Sequence, residues 1–310
     1  MFAAPAPCAG NLLVTPSCDG VLYGINRRTG RPLWEFRGAG KDYHCSPAVE
    51  GKTVFVGNDD GRFYAVGLVS GNEVWNVEAG SPVWAKPLLA PGLVLFGTLD
   101  GNLFAARRTD GAVLWRSSAG RCVYLSDPVR WRDLALVGTT DGAMSAFDLE
   151  SGKRAWSFRT RGAVAGGPAL EGDVAYFASR SGLCVALDLR TRRPLWERKL
   201  KGGTIYAPAL LPSSLLVGTG AGLAYALDRA SGKTLWILRT GRKRAGCPAT
   251  DGRRAFVPGW DGILRAVSPS DGTLLWTLRT DADIRGFVTL DNGWLFAGSL
   301  DKSLYAVKYR

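Results

Sequence analysis

LLVGTGAGLAYALDRASGKTLW, residues 215–236, holds three short apolar runs parted by two turn signals and ends on a tryptophan. The runs are too short for ordinary helices and are bounded by glycine, so they read as strands. The first turn carries Gly222 and the second Ser231-Gly232. Glycine enters the left-handed region at no steric cost, which makes both turns hairpin connections. Outward from this stretch the tryptophan recurs at Trp34, Trp75, Trp115, Trp156, Trp196, Trp236 and Trp276, in steps of 41, 40, 41, 40, 40 and 40 residues. Fourteen residues before each stands Gly20, Gly61, Gly101, Gly142, Gly182, Gly222 or Gly262. Four residues before each stands Gly30, Gly71, Gly111, Gly152, Arg192, Gly232 or Gly272. Arg192 breaks the series, and a side chain in a left-handed turn costs about 1 kcal/mol, so that turn is expected to differ locally.

The second unit shows the full pattern: SPAVE (46–50), TVFVGN (53–58), RFYAVG (62–67) and EVWNVE (73–78) read as four strands. Asp60-Gly61 is a strong hairpin signal between the second and third. No segment keeps a helical period over 11 residues or more. A four-stranded antiparallel unit repeating at about 40 residues is a propeller blade. An eighth partial copy, WLFAGSLDKSLYAV (294–307), closes the chain. The expected fold is therefore all-β, an eight-bladed β-propeller whose last blade has three strands, with seven blades as the alternative. It is read as one domain over 1–310, in units of about 1–38, 39–79, 80–119, 120–160, 161–200, 201–240, 241–280 and 281–310.

Composition is that of an ordinary globular chain, with 46% hydrophobic and 21% charged residues. No apolar run reaches the roughly 18–20 residues that a membrane-spanning helix needs. The N-terminus shows no basic region followed by an apolar stretch. The expected location is cytoplasmic, or periplasmic if a leader has been cleaved away. Cys8, Cys18, Cys45, Cys122, Cys184 and Cys247 are scattered, and His44 is the one histidine. No C-x-x-C pair or four-ligand zinc spacing is visible, so no metal site and no cofactor are expected. Free thiols agree with a reducing compartment. The net charge of +12 favours acidic or anionic partners. Its densest cluster is Arg239, Arg242, Lys243 and Arg244, with Arg253 and Arg254 nearby. That cluster lacks the interleaved aromatics of a single-strand binder, which leaves nucleic acid a lesser alternative.

The quoted stretch and LALVGTTDGAMSAFDLESGKRAW (134–156) resemble the PQQ-like propeller repeat. That family includes quinoprotein alcohol dehydrogenases, the outer-membrane assembly lipoprotein BamB and propellers fused to acyl-activating enzymes. The resemblance spans nearly the whole chain and speaks to fold far more than to function. It implies that the seven repeating tryptophans are structural, each packed near a glycine turn of a neighbouring blade. It does not imply quinone chemistry, because the adjacent Cys-Cys pair beside the quinone is missing.

Function is sought where the repeat varies. Aligned on Pro47, Pro87, Pro128, Pro168, Pro208, Pro248 and Val288, the units vary most one and three residues earlier. Alternation along a strand places both positions on one side, assigned here to the channel mouth. The loops before Pro47 and Pro128 each carry one extra residue, and loops are where function is grafted on a scaffold. The candidate site is His44, Trp84, Lys86, Tyr124, Asp127, Tyr206 and Arg285. His44 would act as acid/base with Asp127 as its partner or as a second carboxylate, Lys86 and Arg285 as anion clamps, and Trp84 as a stacking wall. The plain alternative is that these residues line a wet channel. Trp260 in PGWDG (258–262) is expected to stand exposed on the same face as a partner anchor. Trp131 and Trp294 fall near turns at the other end. The repeated turn aspartates Asp19, Asp60, Asp100, Asp141 and Asp261 are read as turn formers rather than metal ligands.

The leading functional expectation is a rigid scaffold that binds a protein partner or an anionic small molecule at the channel-mouth face. The alternative is an enzyme using the funnel residues for acid/base chemistry. The chain is read as a monomer, or as part of a longer multidomain chain.

Overall fold

The computed structural model describes residues 5–8, 10–122, 126–241 and 244–309. It is an eight-bladed β-propeller of antiparallel sheets, seven of four strands and the eighth, Val288–Asp291, Trp294–Gly298 and Leu304–Lys308, of three. No helix long and apolar enough to cross a membrane occurs among the described residues. Two compact units are present: Met1–Thr139 with Ser145–Ser157, and Thr140–Met144 with Phe158–Arg310.

In the first unit, blade 2 comprises Ala48–Glu50, Thr53–Gly57, Arg62–Gly67 and Glu73–Glu78. Its two middle strands are buried on both faces, which is why TVFVG and RFYAVG lack strict alternation. The fourth strand alternates exposed and buried residues, with only Trp75 and Val77 buried. Phe63 stacks on Phe96 of blade 3 at 4.0 Å between ring centroids, and Phe96 on Phe104 at 5.3 Å. The core thus lies between successive sheets.

Five of the repeating tryptophans each bolt their blade to the next. Trp34 Nε1 donates to Leu68 O (2.9 Å), Trp75 Nε1 to Arg108 O (3.1 Å) and Trp115 Nε1 to Leu149 O (2.9 Å). Each ring lies against the left-handed glycine of that neighbouring turn. A Cβ on Gly71 would fall 2.8 Å from Trp34, one on Gly111 2.7 Å from Trp75, and one on Gly152 2.5 Å from Trp115. Within its own sheet the indole faces a small residue followed by a bulge, Gly24 opposite Trp34, Ala65 opposite Trp75 and Ala105 opposite Trp115. The second unit repeats the arrangement: Trp196 Nε1 donates to Arg229 O (2.8 Å) over Gly232, and Trp236 Nε1 to Pro269 O (3.0 Å) over Gly272.

One sequence expectation is corrected here. Arg192 does not alter its turn. It takes φ 61°, and its N–H donates to Asp188 O at 2.7 Å, as Gly232 N–H does to Asp228 O at 2.8 Å. The repeat imposes the left-handed conformation on an arginine.

Candidate functional site

The loops entering blades 2 and 3 each straddle two second hairpins. Tyr43 N–H donates to Ser17 O in blade 1 (3.1 Å), and Asp59 N–H in blade 2 donates back to Asp42 O (3.0 Å). The same two bonds recur at the next loop, from Val83 to Asn58 O and from Leu99 to Pro82 O. A side chain three residues before the aligned proline therefore sits between two turn residues. Those turn residues lie two before the repeating glycine, at Cys18, Asp59 and Leu99 in the first three blades.

His44 occupies such a seat. Its Nδ1 lies 2.9 Å from Asp59 Oδ2 and its Nε2 lies 3.6 Å from Cys18 Sγ. The other Asp59 oxygen, Oδ1, accepts from Trp84 Nε1 at 2.7 Å, and the His44 and Trp84 rings lie 4.6 Å apart. Burial alone pushes the imidazole pKa down, but the hydrogen bonds to Asp59 and Cys18 outweigh it and raise it to about 9. The hydrogen bond from His44 holds the Cys18 thiol below its ordinary range. The Asp42 carboxylate joins the same group: one ligand atom each from Cys18, Asp42 and His44 lie within 4.8 Å of one another.

The expected pairing of His44 with Asp127 is corrected: Asp59 is the carboxylate that His44 meets. Asp127 Oδ1 instead accepts from the backbone N–H of Lys86 at 2.8 Å, since the two residues hold the same position in successive units. Loss of solvent around its carboxyl raises the Asp127 pKa to about 6. The Lys86 side chain is exposed. Tyr124 lies outside the described residues, as do Arg242 and Lys243.

In the second unit a separate group forms. Trp260 holds the turn seat of blade 7 and Arg285 the loop seat that follows it. The Arg285 guanidinium lies over the Trp260 ring at 4.5 Å and that of Arg244 at 5.3 Å. Trp260 Nε1 lies 3.2 Å from Tyr206 Oη, whose hydroxyl donates to Arg285 O at 2.8 Å. Trp260 is half-buried, so the expectation of a freely exposed anchor is corrected. The basic cluster also gains the aromatic that its linear sequence lacks. Arg285 is paired with Asp283 Oδ2 at 2.9 Å. Arg244 and Arg180 share a cleft of about 450 Å³ with Gly202, Gly203, Ile205, Gly220 and Ala221. No carboxylate among the described residues pairs with either of these two arginines.

A family model described as outer membrane protein assembly factor BamB matches residues 18–162, 140–241 and 220–309. The chain belongs to the BamB family. The outer membrane protein assembly factor BamB of Burkholderia pseudomallei (strain K96243) is 29% identical over 190 residues, 56% of this chain and 49% of that protein. The match thus spans about half the length of that curated BamB. The crystal structure of BamB from Moraxella catarrhalis superposes with a TM-score of 0.88 at 22% identity, covering 98% of this chain and 96% of that one. Quinohemoprotein alcohol dehydrogenase from Comamonas testosteroni reaches 0.78 at 14% identity, covering 96% of this chain and 70% of that one. At such identities the structural likenesses show the fold alone. BamB membership overturns the expected cytoplasmic location, because the relatives are outer membrane protein assembly factors.

What sequence reasoning missed are Cys18, Asp42 and Asp59. Aligning the units on the proline shows only the loop seats. A second alignment on the residue two before the repeating glycine would have read Cys18–His44–Asp59–Trp84 as one alternating series.

Proposed function

We propose that this BamB-family propeller is a rigid scaffold that holds an acidic segment of a protein partner in outer membrane protein assembly. The supporting observation is the Arg244–Trp260–Arg285 stack pinned by Tyr206, beside a cleft whose Arg180 and Arg244 pair with no carboxylate among the described residues. A stacked guanidinium loses little side-chain freedom on binding a carboxylate, so the preformed stack lowers the cost of association. Trp and Arg in such settings carry a large share of interface energy. A free anionic small molecule is the other occupant that the cleft chemistry would take.

The test is site-specific photocrosslinking in cells, from position 244 and from the exposed outer-edge position Leu235. The expected result is an adduct with an outer membrane assembly component from 244, lost in the Arg180→Glu/Arg285→Glu background. Protein adducts from 235 alone would overturn the reading. A cleft filled only by a small anion would show as native mass-spectrometric adducts without a protein crosslink, and would also count against it.

A further inference from the structure

We propose that Cys18, Asp42 and His44 bind a divalent transition-metal ion, zinc by ligand type, in a three-ligand site at the junction of blades 1 and 2. A thiolate, an imidazole and a carboxylate are the donors that zinc accepts, whereas magnesium and calcium require an all-oxygen shell.

The geometry carries the argument. With Zn–S of about 2.3 Å and Zn–N of about 2.0–2.1 Å at tetrahedral angles, the sulfur and nitrogen of one ion sit about 3.6 Å apart. Cys18 Sγ and His44 Nε2 are 3.6 Å apart. The third donor atom, from Asp42, lies within 4.8 Å of both, a gap that a small carboxylate rotation closes. His44 uses Nδ1 on Asp59, which leaves Nε2 facing the other two donors. A carboxylate behind a ligating imidazole is the usual second layer of a zinc site, and here Trp84 fixes that carboxylate in turn.

The backbone holds the donors in place before any ion arrives. Tyr43, between Asp42 and His44, is bonded to Ser17 O, next to Cys18, and Asp42 O accepts from Asp59. The loop bearing Asp42 and His44 is one of the two with an extra residue. Three protein donors leave a fourth position for water or a donor from a partner, as in open zinc sites. The three donors come from adjacent repeat units, 24 and 26 residues apart, a separation at which no short spacing motif registers in the sequence.

The test is a Co²⁺ titration of the full chain after chelator treatment, followed by Zn²⁺ displacement. The expected result is one equivalent bound with a thiolate-to-cobalt charge-transfer band that Zn²⁺ abolishes. Cys18→Ser should remove the band, and Asp59→Asn, which keeps every ligand, should weaken binding about 10–100-fold. Asp42→Asn supplies a second ligand variant should Cys18→Ser fail to fold, which circular dichroism would reveal. Absence of the band, or a band indifferent to Cys18→Ser and Asp42→Asn, would overturn the site. So would alkylation of Cys18 by iodoacetamide at the same rate with and without Zn²⁺, since that would mark a free nucleophile instead.

Discussion

The indole of Trp75 rests on Gly111 of the following blade, and its N–H donates to Arg108 O three residues before that glycine. One residue thereby fastens two sheets by packing and by a hydrogen bond. The same relation holds for Trp34 with Gly71 and for Trp236 with Gly272, where the missing side chain leaves room for the ring.

Gly111→Ala should therefore be costlier than an alanine at an open left-handed glycine. Both Gly111 (φ 76°) and Gly92 (φ 75°) would pay left-handed strain of about 1–2 kcal/mol. Only at Gly111 does the new Cβ meet a ring, 2.7 Å away, whereas nothing lies within 4 Å of Gly92. The added overpacking is about 1–3 kcal/mol. Urea unfolding of the two variants gives the difference, and equal costs would refute the wedge.

Arg192→Gly should stabilise the chain. Arg192 (φ 61°) stands where the repeat has glycine, and Lys302 (φ 71°) replaces the glycine of the last Asp-Gly turn. Glycine at either position relieves about 1 kcal/mol of left-handed strain, partly offset by a freer unfolded chain. A raised urea midpoint in both single variants, and an additive rise in the double variant, is expected. A lowered midpoint would mean that the arginine and lysine side chains contribute more than the strain costs.

The blades were legible because one period fixes everything local. Short runs such as TVFVGN and RFYAVG can only be strands, and Gly61 and Gly71 mark where they turn. The pairing of His44 was not legible. Its partners come from the hairpins of two different blades, Cys18 before it and Asp59 after it, and only the loop bonds to Ser17 and from Asp59 bring them together. Asp127 looked like the partner because both loops carry an insertion, yet it reaches Lys86 N–H through the register of the stacked units. Arg192 misled for a related reason: local propensity is overridden where six neighbours of the repeat impose one turn.

Asp127→Asn should stabilise the chain at neutral pH. Burial raises this carboxyl to about 6, so the folded state binds more protons than the unfolded between about 3.8 and 6. Stability carried by Asp127 is then complete below about 3.8 and lost as pH rises through about 6. Asparagine keeps the Oδ1 that accepts from Lys86 N–H and never ionises. The gain at pH 8 has an upper bound of about 3 kcal/mol and should vanish at pH 3.5. Melting temperatures of wild type and variant at the two pH values decide it, and a variant less stable at pH 8 would contradict the assignment.

Asp59→Asn should return His44 toward the behaviour of an ordinary imidazole. Since His44 is the one histidine, its titration can be followed through a single set of ring resonances by NMR, in protein held in chelator. In wild type the imidazole titrates at about 9, because Asp59 and Cys18 together override a burial that opposes charge. The stability contributed by this raised pKa is complete below about 6.5 and lost as pH climbs through about 9. Cys18 works in the other direction: its lowered pKa favours the folded state at high pH and loses that advantage as pH falls. The Cys18→Ser background therefore isolates the histidine. In that background Asp59→Asn should move the midpoint below about 7, since a neutral amide no longer offsets burial. It should also flatten the fall in stability across the same window. A midpoint that stays near 9 would mean that a group other than Asp59 holds the proton on His44.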